Sequence, residues 1–406
     1  MEIKGKYNTA IAFTDQIENG ALDQIKKLLN QEFIKDSKVR IMPDVHQGVG
    51  CVIGFTAQMG DKLIPNIVGV DIGCGMVTVE LGYINIDFPR LDEIIKTSIP
   101  YGRNVHQGRG NHFDDISKLH CYRELKDTKR IERSIGTLGS GNHFIEVNSD
   151  SKDNKYLVIH SGSRNLGKQI AEIYQKLAID LCSGKEDFFI RKEKLIKSYK
   201  DQGKRKEINK ALKELSKEYK NLEPKYPKDL CYLSGIYRDR YLHDMKIAQE
   251  FAIKNRQVMA DTILRSLFNR ALDEFSYFHT IHNYIDFRDN IIRKGAISAY
   301  EGEKLLIPIN MRDGSILAIG KGNPDWNYSA PHGAGRLKSR TDAKESFSLE
   351  DFKKSMEGIY TSSVNEKTLD ESPFAYKSME EIISKIGDTV EVIDILKAIY
   401  NFKAWN

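Results

Sequence analysis

No run in the 406-residue sequence is long and apolar enough to span a bilayer as a helix, so no membrane anchor of that kind is expected. The opening MEIKGKYNTAIAFTD lacks a basic segment followed by an apolar one, so no signal peptide is expected. No two of the five cysteines, Cys51, Cys74, Cys121, Cys182 and Cys231, form a CxxC pair. That odd, scattered set argues against a disulfide framework and for a reducing compartment, with the cytoplasm as the expected location. There is no internal repeat and no low-complexity linker. Nor is there a strong excess of one charge: 62 basic residues face 57 acidic ones, for a net charge of +5. That permits an anionic partner without requiring one, so function must come from local clusters.

What is present is first a pattern of elements. Leu22 to Phe33 has helical periodicity. Short apolar runs follow at Val39–Met42, Cys51–Ala57, Ile67–Val70 and Val77–Leu81, punctuated by glycines, and read as strands joined by tight turns. Residues 101–125 are polar and read as a surface loop. Tyr156–His160 reads as a strand, Lys168 to Cys182 as a helix, and 232–278 as helical. Strands return at LLIPINM and ILAIG, and the stretch after Phe347 reads as mostly helical to the end. Residues 183–229 differ: they are dense in lysine and glutamate, almost free of glycine, and closed by Pro224 and Pro227. They read as a solvated helical insertion, with RNA backbone contact as the alternative. Strands at both ends with helices between predict an α+β fold: one large domain over 1–406, its central β-sheet core surrounded by helices.

Five motifs carry candidate chemistry. IVGVDIGCGM holds Asp71 and Cys74 in a glycine-rich turn, which can aim a carboxylate and a thiolate at one point, a donor set suited to zinc, manganese or cobalt. GSGNHFIEV holds Asn142, His143 and Glu146. HSGSRNLG holds His160 and Arg164, and HTIHNYIDF holds His282 and Asn283. Each places a histidine where an apolar segment meets a polar one. Any one alone is more often a structural histidine. Three of them with Asp71 and Cys74 would fill two incomplete coordination spheres if Cys74 bridges. In APHGAGRLKSR, His332 stands beside Gly333, Ala334, Gly335, Arg336 and Arg340. Glycines let backbone amides approach a phosphate, arginines bind its oxygens, and a histidine there can attack phosphorus. A further run, MPDVHQGVG, places Asp44 and His46 on one face of an extended segment, where they could orient a metal ligand; a plain turn is an equal reading.

Taken in order, PDVHQGVG, VGVDIGCGM, GSGNHFIEV, HSGSRNLG, FAIKNRQVM, HN at 282–283, HGAGR and DESPFAYK resemble the RtcB-type RNA ligases over nearly the whole chain. The resemblance implies an RtcB-like fold and two manganese ions. Cys74 would bridge them, Asp71 and His143 would complete one sphere, and His160 and His282 the other. It implies that His332 becomes guanylylated by GTP. Asn142, His143, Glu146, Asn283, Gly333, Ala334, Gly335, Arg336, Tyr400 and Lys403 would contact the nucleotide, and Arg164, Asn255 and Arg256 would contact RNA or phosphate. The implied reaction joins RNA 2′,3′-cyclic phosphate or 3′-phosphate ends to 5′-hydroxyl ends, in RNA repair or tRNA splicing. A monomer is expected, with or without an accessory activating protein. IPINMRDGS stands where many members carry a glycine–serine loop, so nucleotide contacts there are expected to differ, as in a divergent bacterial-type branch. Two other readings compete: a metal-dependent cyclic phosphodiesterase, which needs the metals but not His332, and a catalytically silent RNA-binding protein, which would tolerate a broken cluster.

Overall fold

The computed structural model describes residues 1–108, 113–219 and 222–404. Residues 109–112 of the predicted 101–125 loop, 220–221 of the predicted insertion and the last two of the chain lie outside them. The strands are β1 (Glu2–Lys4), β2 (Thr9–Ala12), β3 (Val39–His46), β4 (Ile53–Gln58), β5 (Gly75–Gly82), β6 (Phe144–Ser149), β7 (Lys155–Ser161) and β8 (Ser276–Ile281). They continue with β9 (Asn283–Asp286), β10 (Ile291–Lys294), β11 (Ala296–Ser298), β12 (Lys304–Asn310), β13 (Gly314–Gly320), β14 (Ser329–Pro331), β15 (Tyr360–Thr361) and β16 (Val390–Lys403). The helices are α1 (Asn19–Leu29), α2 (Phe88–Ser98), α3 (Thr128–Glu132), α4 (Arg164–Cys182), α5 (Glu186–Asp201), α6 (Ile208–Lys217), α7 (Gly235–Phe268), α8 (Arg340–Ser346), α9 (Leu349–Ser355) and α10 (Met379–Ile386).

These elements make an α+β fold with three sheets among the described residues. The largest runs β12-β13-β16-β6-β7-β5-β8, with β15 beside β16; a second runs β1-β2-β3-β4-β10-β9; β11 and β14 form a short pair. Within the large sheet β6, β7, β5 and β8 are antiparallel neighbours. The starts of β5 and β6 therefore lie at the same end as the finishes of β7 and β8. Register fixes this: Gly75 pairs with both Ser161 and Ile281, and Phe144 pairs with His160.

Helix α7 backs that end of the sheet. Its buried residues Ala248, Phe251, Ala252, Asn255, Arg256, Met259, Ala260 and Ile263 recur at helical spacing and form one inward stripe. It stops at Asn269, whose left-handed φ of 56° caps the last turn. Helix α2 begins at Asp87, whose carboxylate accepts the Arg90 N–H at 3.0 Å.

Several expectations need correction. Ile67–Val70 is not a strand; Pro65–Ile67 forms a single 3₁₀ turn, because Pro65 lacks an N–H and Gly69 takes a φ of 98°. The 101–125 region is not simply surface loop: two 3₁₀ turns bury Ile116, Leu119 and Cys121. Residues 232–278 do not stay helical, since β8 starts at Ser276. The chain does not end in a helix: the 14-residue β16 pairs with β13, β6 and β15, and it stands in the middle of the large sheet.

Candidate active site

Four of the five predicted metal ligands stand where the end of the large sheet converges. Cys74 precedes β5, His143 precedes β6, His160 is near the end of β7, and His282 follows β8. Asp71 joins them from the turn before Cys74, whose N–H donates to the Asp71 carbonyl at 3.2 Å. That turn packs against α7 so closely that a Cβ on Gly73 would lie 2.9 Å from the Ala252 Cβ; Gly73 also has a φ of 73°. Only glycine meets both demands.

The ligand atoms form two groups that share one sulfur: Asp71, Cys74 and His143, and Cys74, His160 and His282. His143 Nε2 lies 3.1 Å from Asp71 Oδ2 and 3.5 Å from Cys74 Sγ. His160 Nε2 lies 3.3 Å from the same sulfur and 3.4 Å from His282 Nε2. The other ring nitrogens show why these atoms converge. His143 Nδ1–H donates to the Leu138 carbonyl at 2.7 Å, and His160 Nδ1–H to the Asn142 carbonyl at 3.2 Å. Each Nε2 therefore carries a lone pair toward the cluster, the orientation that outer hydrogen bonds give to metal-binding histidines. Burial pushes His160 and His282 well below the ordinary histidine range, which keeps both neutral. Burial opposes ionisation of Asp71, yet the neighbouring His143 and Arg164 side chains outweigh it and hold the carboxyl low. Burial and Asp71 push the Cys74 thiol well up, so a cation is needed to displace its proton. Asp71 Oδ1 is buried with no hydrogen-bond partner among the described residues. An acidic oxygen, a thiol and three converging Nε2 atoms, two of them with their lone pairs turned inward by outer hydrogen bonds, fit two divalent cations that share the sulfur.

Asn255 and Arg256, expected to meet RNA, are fully buried behind this turn. Asn255 Oδ1 accepts the Gly136 and Thr137 N–H groups at 2.8 and 3.0 Å. Arg256 Nη1 donates to the carbonyls of Gly73 and Ser161 at 2.8 and 2.7 Å, so it braces both metal-bearing segments from inside. Their place in the buried stripe of α7 was visible in the helical spacing. Asn283, expected at the nucleotide, braces the same turn: its carbonyl accepts the Gly73 N–H at 2.7 Å. Arg164 opens α4 with a φ of 57° and donates from Nε to Thr137 Oγ1 at 3.2 Å.

His332 follows β14, and its ring lies 4.8 Å from that of His282. Asp44 fixes it. The carboxylate Oδ2 accepts both the His332 backbone N–H at 3.0 Å and Nδ1–H at 2.6 Å. Asp44 and His46 are thus not a support for the metal ligands, as one reading of MPDVHQGVG had it; Asp44 orients His332, and His46 lines the adjoining cavity. Gly335 brings HGAGR against the same strand: its φ is 76°, and a Cβ would lie 2.6 Å from the Asp44 carbonyl oxygen.

A cavity of about 500 Å³ adjoins His332, lined among others by Asn142, Glu146, Gly333, Arg336, Asn401 and Lys403. On β16, side chains alternate. Asn401 and Lys403 face the cavity, whereas Tyr400 is buried in the core and donates to Asp92 Oδ1 at 3.0 Å. Tyr400 and Lys403, expected together at the nucleotide, therefore lie on opposite faces. Asn401 takes the place beside Lys403, and donates to Glu146 Oε2 at 2.6 Å. Burial raises Glu146 to about 7. Glu371, which sequence reasoning did not single out, lies beneath Lys403. It pairs with Lys403 at 2.7 Å, Arg340 at 2.6 Å and Arg336 at 3.5 Å, and accepts from the Tyr376 hydroxyl at 2.7 Å. Burial opposes its ionisation, but Lys403 and Arg340 hold it at about 2.

The family described as tRNA-splicing ligase RtcB matches the chain over residues 24–123 and 112–404. An RNA-splicing ligase RtcB1 and an RNA-splicing ligase RtcB, from two Escherichia coli strains, are each 30% identical to it over 420 residues, covering 94% of both chains. A tRNA-splicing ligase RtcB of Aeropyrum pernix is 24% identical over 432 residues, covering 84% of this chain and 82% of its own.

Proposed function

This chain belongs to the RtcB family, and on that premise we propose that it is a GTP-dependent RNA ligase. It joins 2′,3′-cyclic phosphate or 3′-phosphate RNA ends to 5′-hydroxyl ends, with His332 as the covalent carrier of GMP. The observation that carries the reading is the hydrogen bond from His332 Nδ1–H to Asp44, in a ring held against His282. With Nδ1 occupied as a donor, the lone pair is on Nε2, and Nε2 is the nucleophile. It attacks the α-phosphorus of GTP and forms a nitrogen–phosphorus bond as pyrophosphate leaves. Where the first RNA ends in a cyclic phosphate, water attacks its phosphorus and the bond to the 2′-oxygen breaks, which leaves a 3′-phosphate; an oxygen of that 3′-phosphate then takes the GMP, and the bond to Nε2 breaks. The 5′-hydroxyl of the second RNA attacks the activated 3′-phosphorus, and GMP departs. Asp44 balances the charge that the ring gains in the first step and loses in the second.

Asp71, Cys74 and His143 would hold one divalent cation and Cys74, His160 and His282 another, and manganese bound there would supply neutralisation of phosphate charge. Gly333, Ala334, Gly335 and Arg336 offer amides and a guanidinium to phosphate oxygens, and Asn142 adds an amide at the rim. Glu146, Asn401 and Lys403, which line the cavity, hold the base. Arg164, beside Asp71, meets an RNA phosphate.

The test is direct. A 2′,3′-cyclic phosphate RNA and a 5′-hydroxyl RNA are incubated with the protein, manganese and either GTP or ATP. Joined product with GTP alone is the expected result. Opening of the cyclic phosphate without joining would assign the phosphodiesterase instead, and neither reaction would leave a silent RNA-binding protein.

A further inference from the structure

The basic stretch between α4 and α7 forms a helical hairpin of α5 and α6 whose apolar side is turned inward. Leu215 is buried and Leu195, Ile196, Tyr199 and Leu212 are half-buried. Near its base Arg191 of α5 pairs with Glu218 at the end of α6 at 2.6 Å, which closes the hairpin, and Glu193 pairs with Arg240 of α7 at 3.5 Å, which ties it to the body. Its outer face and tip differ. Lys192, Lys194, Lys197, Lys200, Lys204, Arg205, Lys206, Lys210 and Lys213 have no ion-pair partner among the described residues; the unpaired acids of the two helices and their turn are Glu186, Asp201 and Glu207. A solvated helix face ordinarily mixes the two signs in pairs. Here the pairs are near the base, and the tip residues Lys204, Arg205 and Lys206 are exposed.

We propose that this hairpin is an RNA-backbone arm, which holds the folded body of the substrate at a distance from the joined ends. The inference rests on the RNA-ligase reading above. Helices α4 and α7 both run from the metal-bearing turns to the hairpin. Arg164 at one end of α4 and Arg256 within α7 are near the cluster; Cys182 and Gly235 are at the hairpin. At 1.5 Å per residue, either path is about 30 Å long. That is close to one turn of a nucleic-acid duplex. An RNA engaged at both places spans at least that distance, which a paired stem bridges rigidly whereas a short single strand does not. The chemistry favours RNA over an acidic protein. The outer face offers lysine point charges, while its aromatic residues Phe188, Phe189 and Tyr199 are half-buried. Protein interfaces are enriched in aromatics and depleted in lysine, whereas phosphate backbones are read by distributed cations.

The test replaces Lys204, Arg205 and Lys206 together, once with glutamate and once with glutamine. Two substrates are compared: halves of a stem-bearing RNA nicked in a loop, and two short single-stranded oligonucleotides. With the glutamate variant, the KM for the stem-bearing halves should rise at least about tenfold, and that for the short pair less than about twofold. The slope of log affinity against log salt should fall by about two to three for the stem-bearing RNA, since each phosphate contact contributes somewhat less than one. The glutamine variant should lie between. Transfer of label from GTP to the protein should be unchanged in both, which also reports that they are folded. Equal KM and equal salt slope for the stem-bearing RNA would overturn the proposal. So would unchanged RNA affinity together with lost binding of polyglutamate, which would assign the arm to an acidic protein. RNA binding is measured without GTP, so the arm is decided even where ligation itself is absent.

Discussion

A single oxygen of Asp44, Oδ2, accepts both the ring Nδ1–H and the backbone N–H of His332 across 288 residues of sequence. The residue is fully buried, so water does not compete for that oxygen. Asp44→Asn keeps the shape but offers an amide that can donate to Nδ1 and move the ring proton to Nε2. The expected result is a fall in label transfer from GTP of about 10²- to 10⁴-fold, the scale seen when a carboxylate that sets a histidine tautomer is lost. Manganese content should be unchanged. Transfer within a few-fold of wild type would show that the tautomer does not matter.

Because one sulfur belongs to both ligand groups, removing it should differ from removing any other ligand. Cys74→Ala is expected to lose both ions, and His282→Ala only one. Equilibrium dialysis against manganese, with circular dichroism as the check on folding, separates these outcomes. Two ions retained by Cys74→Ala would rule out the shared sulfur.

Glu146 gives a pH dependence whose sign is fixed. Its folded value is about 7 against an ordinary 4.5, so folding favours the protonated carboxyl. The stabilisation is fully present below pH 4.5 and is lost as pH rises from there to about 7. Glu146→Gln mimics the protonated form. Above pH 7 it should be more stable than wild type by up to about 3 kcal/mol. Urea unfolding at pH 5 and pH 8 checks this: the gap between the two proteins should open only at the higher pH.

Glu371 behaves in the opposite way. Held at about 2, its carboxylate stabilises the fold above pH 4.5, and that contribution is lost as pH falls toward 2. Glu371→Gln leaves Lys403 and Arg336 facing a neutral amide. At pH 7 the cost should be about 3–5 kcal/mol, as for other broken buried pairs. The deficit should narrow at pH 3. An equal deficit at both pH values would assign the effect to packing.

The sequence carried more of the site than of the fold around it. Asp71, Cys74, His143, His160 and His282 each sit at the edge of an apolar run, and sheet register brings four such edges to one end. That convergence follows once the strands are known to be neighbours. The β16 strand was misread because VEVIDILKAIYNFK has apolar residues at both helical and alternating spacing, and its partners β6 and β13 are far away in sequence. Its alternation also decides that Asn401, not Tyr400, reaches the cavity. Asp44–His332 and Glu371–Lys403 were beyond reach for the same physical reason: a pair made by tertiary packing leaves no local period to find. Arg256 was misplaced although its helical spacing put it in line with Phe251, Ala252 and Met259.

On the proposed reading, His332 Nε2 forms the bond to GMP. The protein is treated with GTP and manganese, digested under alkaline conditions that preserve a phosphoramidate, and its peptides are mapped by mass spectrometry. GMP is expected on the peptide that carries His332, lost on brief acid treatment and absent from His332→Ala, while that variant still binds manganese because His332 is in neither ligand group. GMP on a lysine, or on no peptide containing His332, would contradict it.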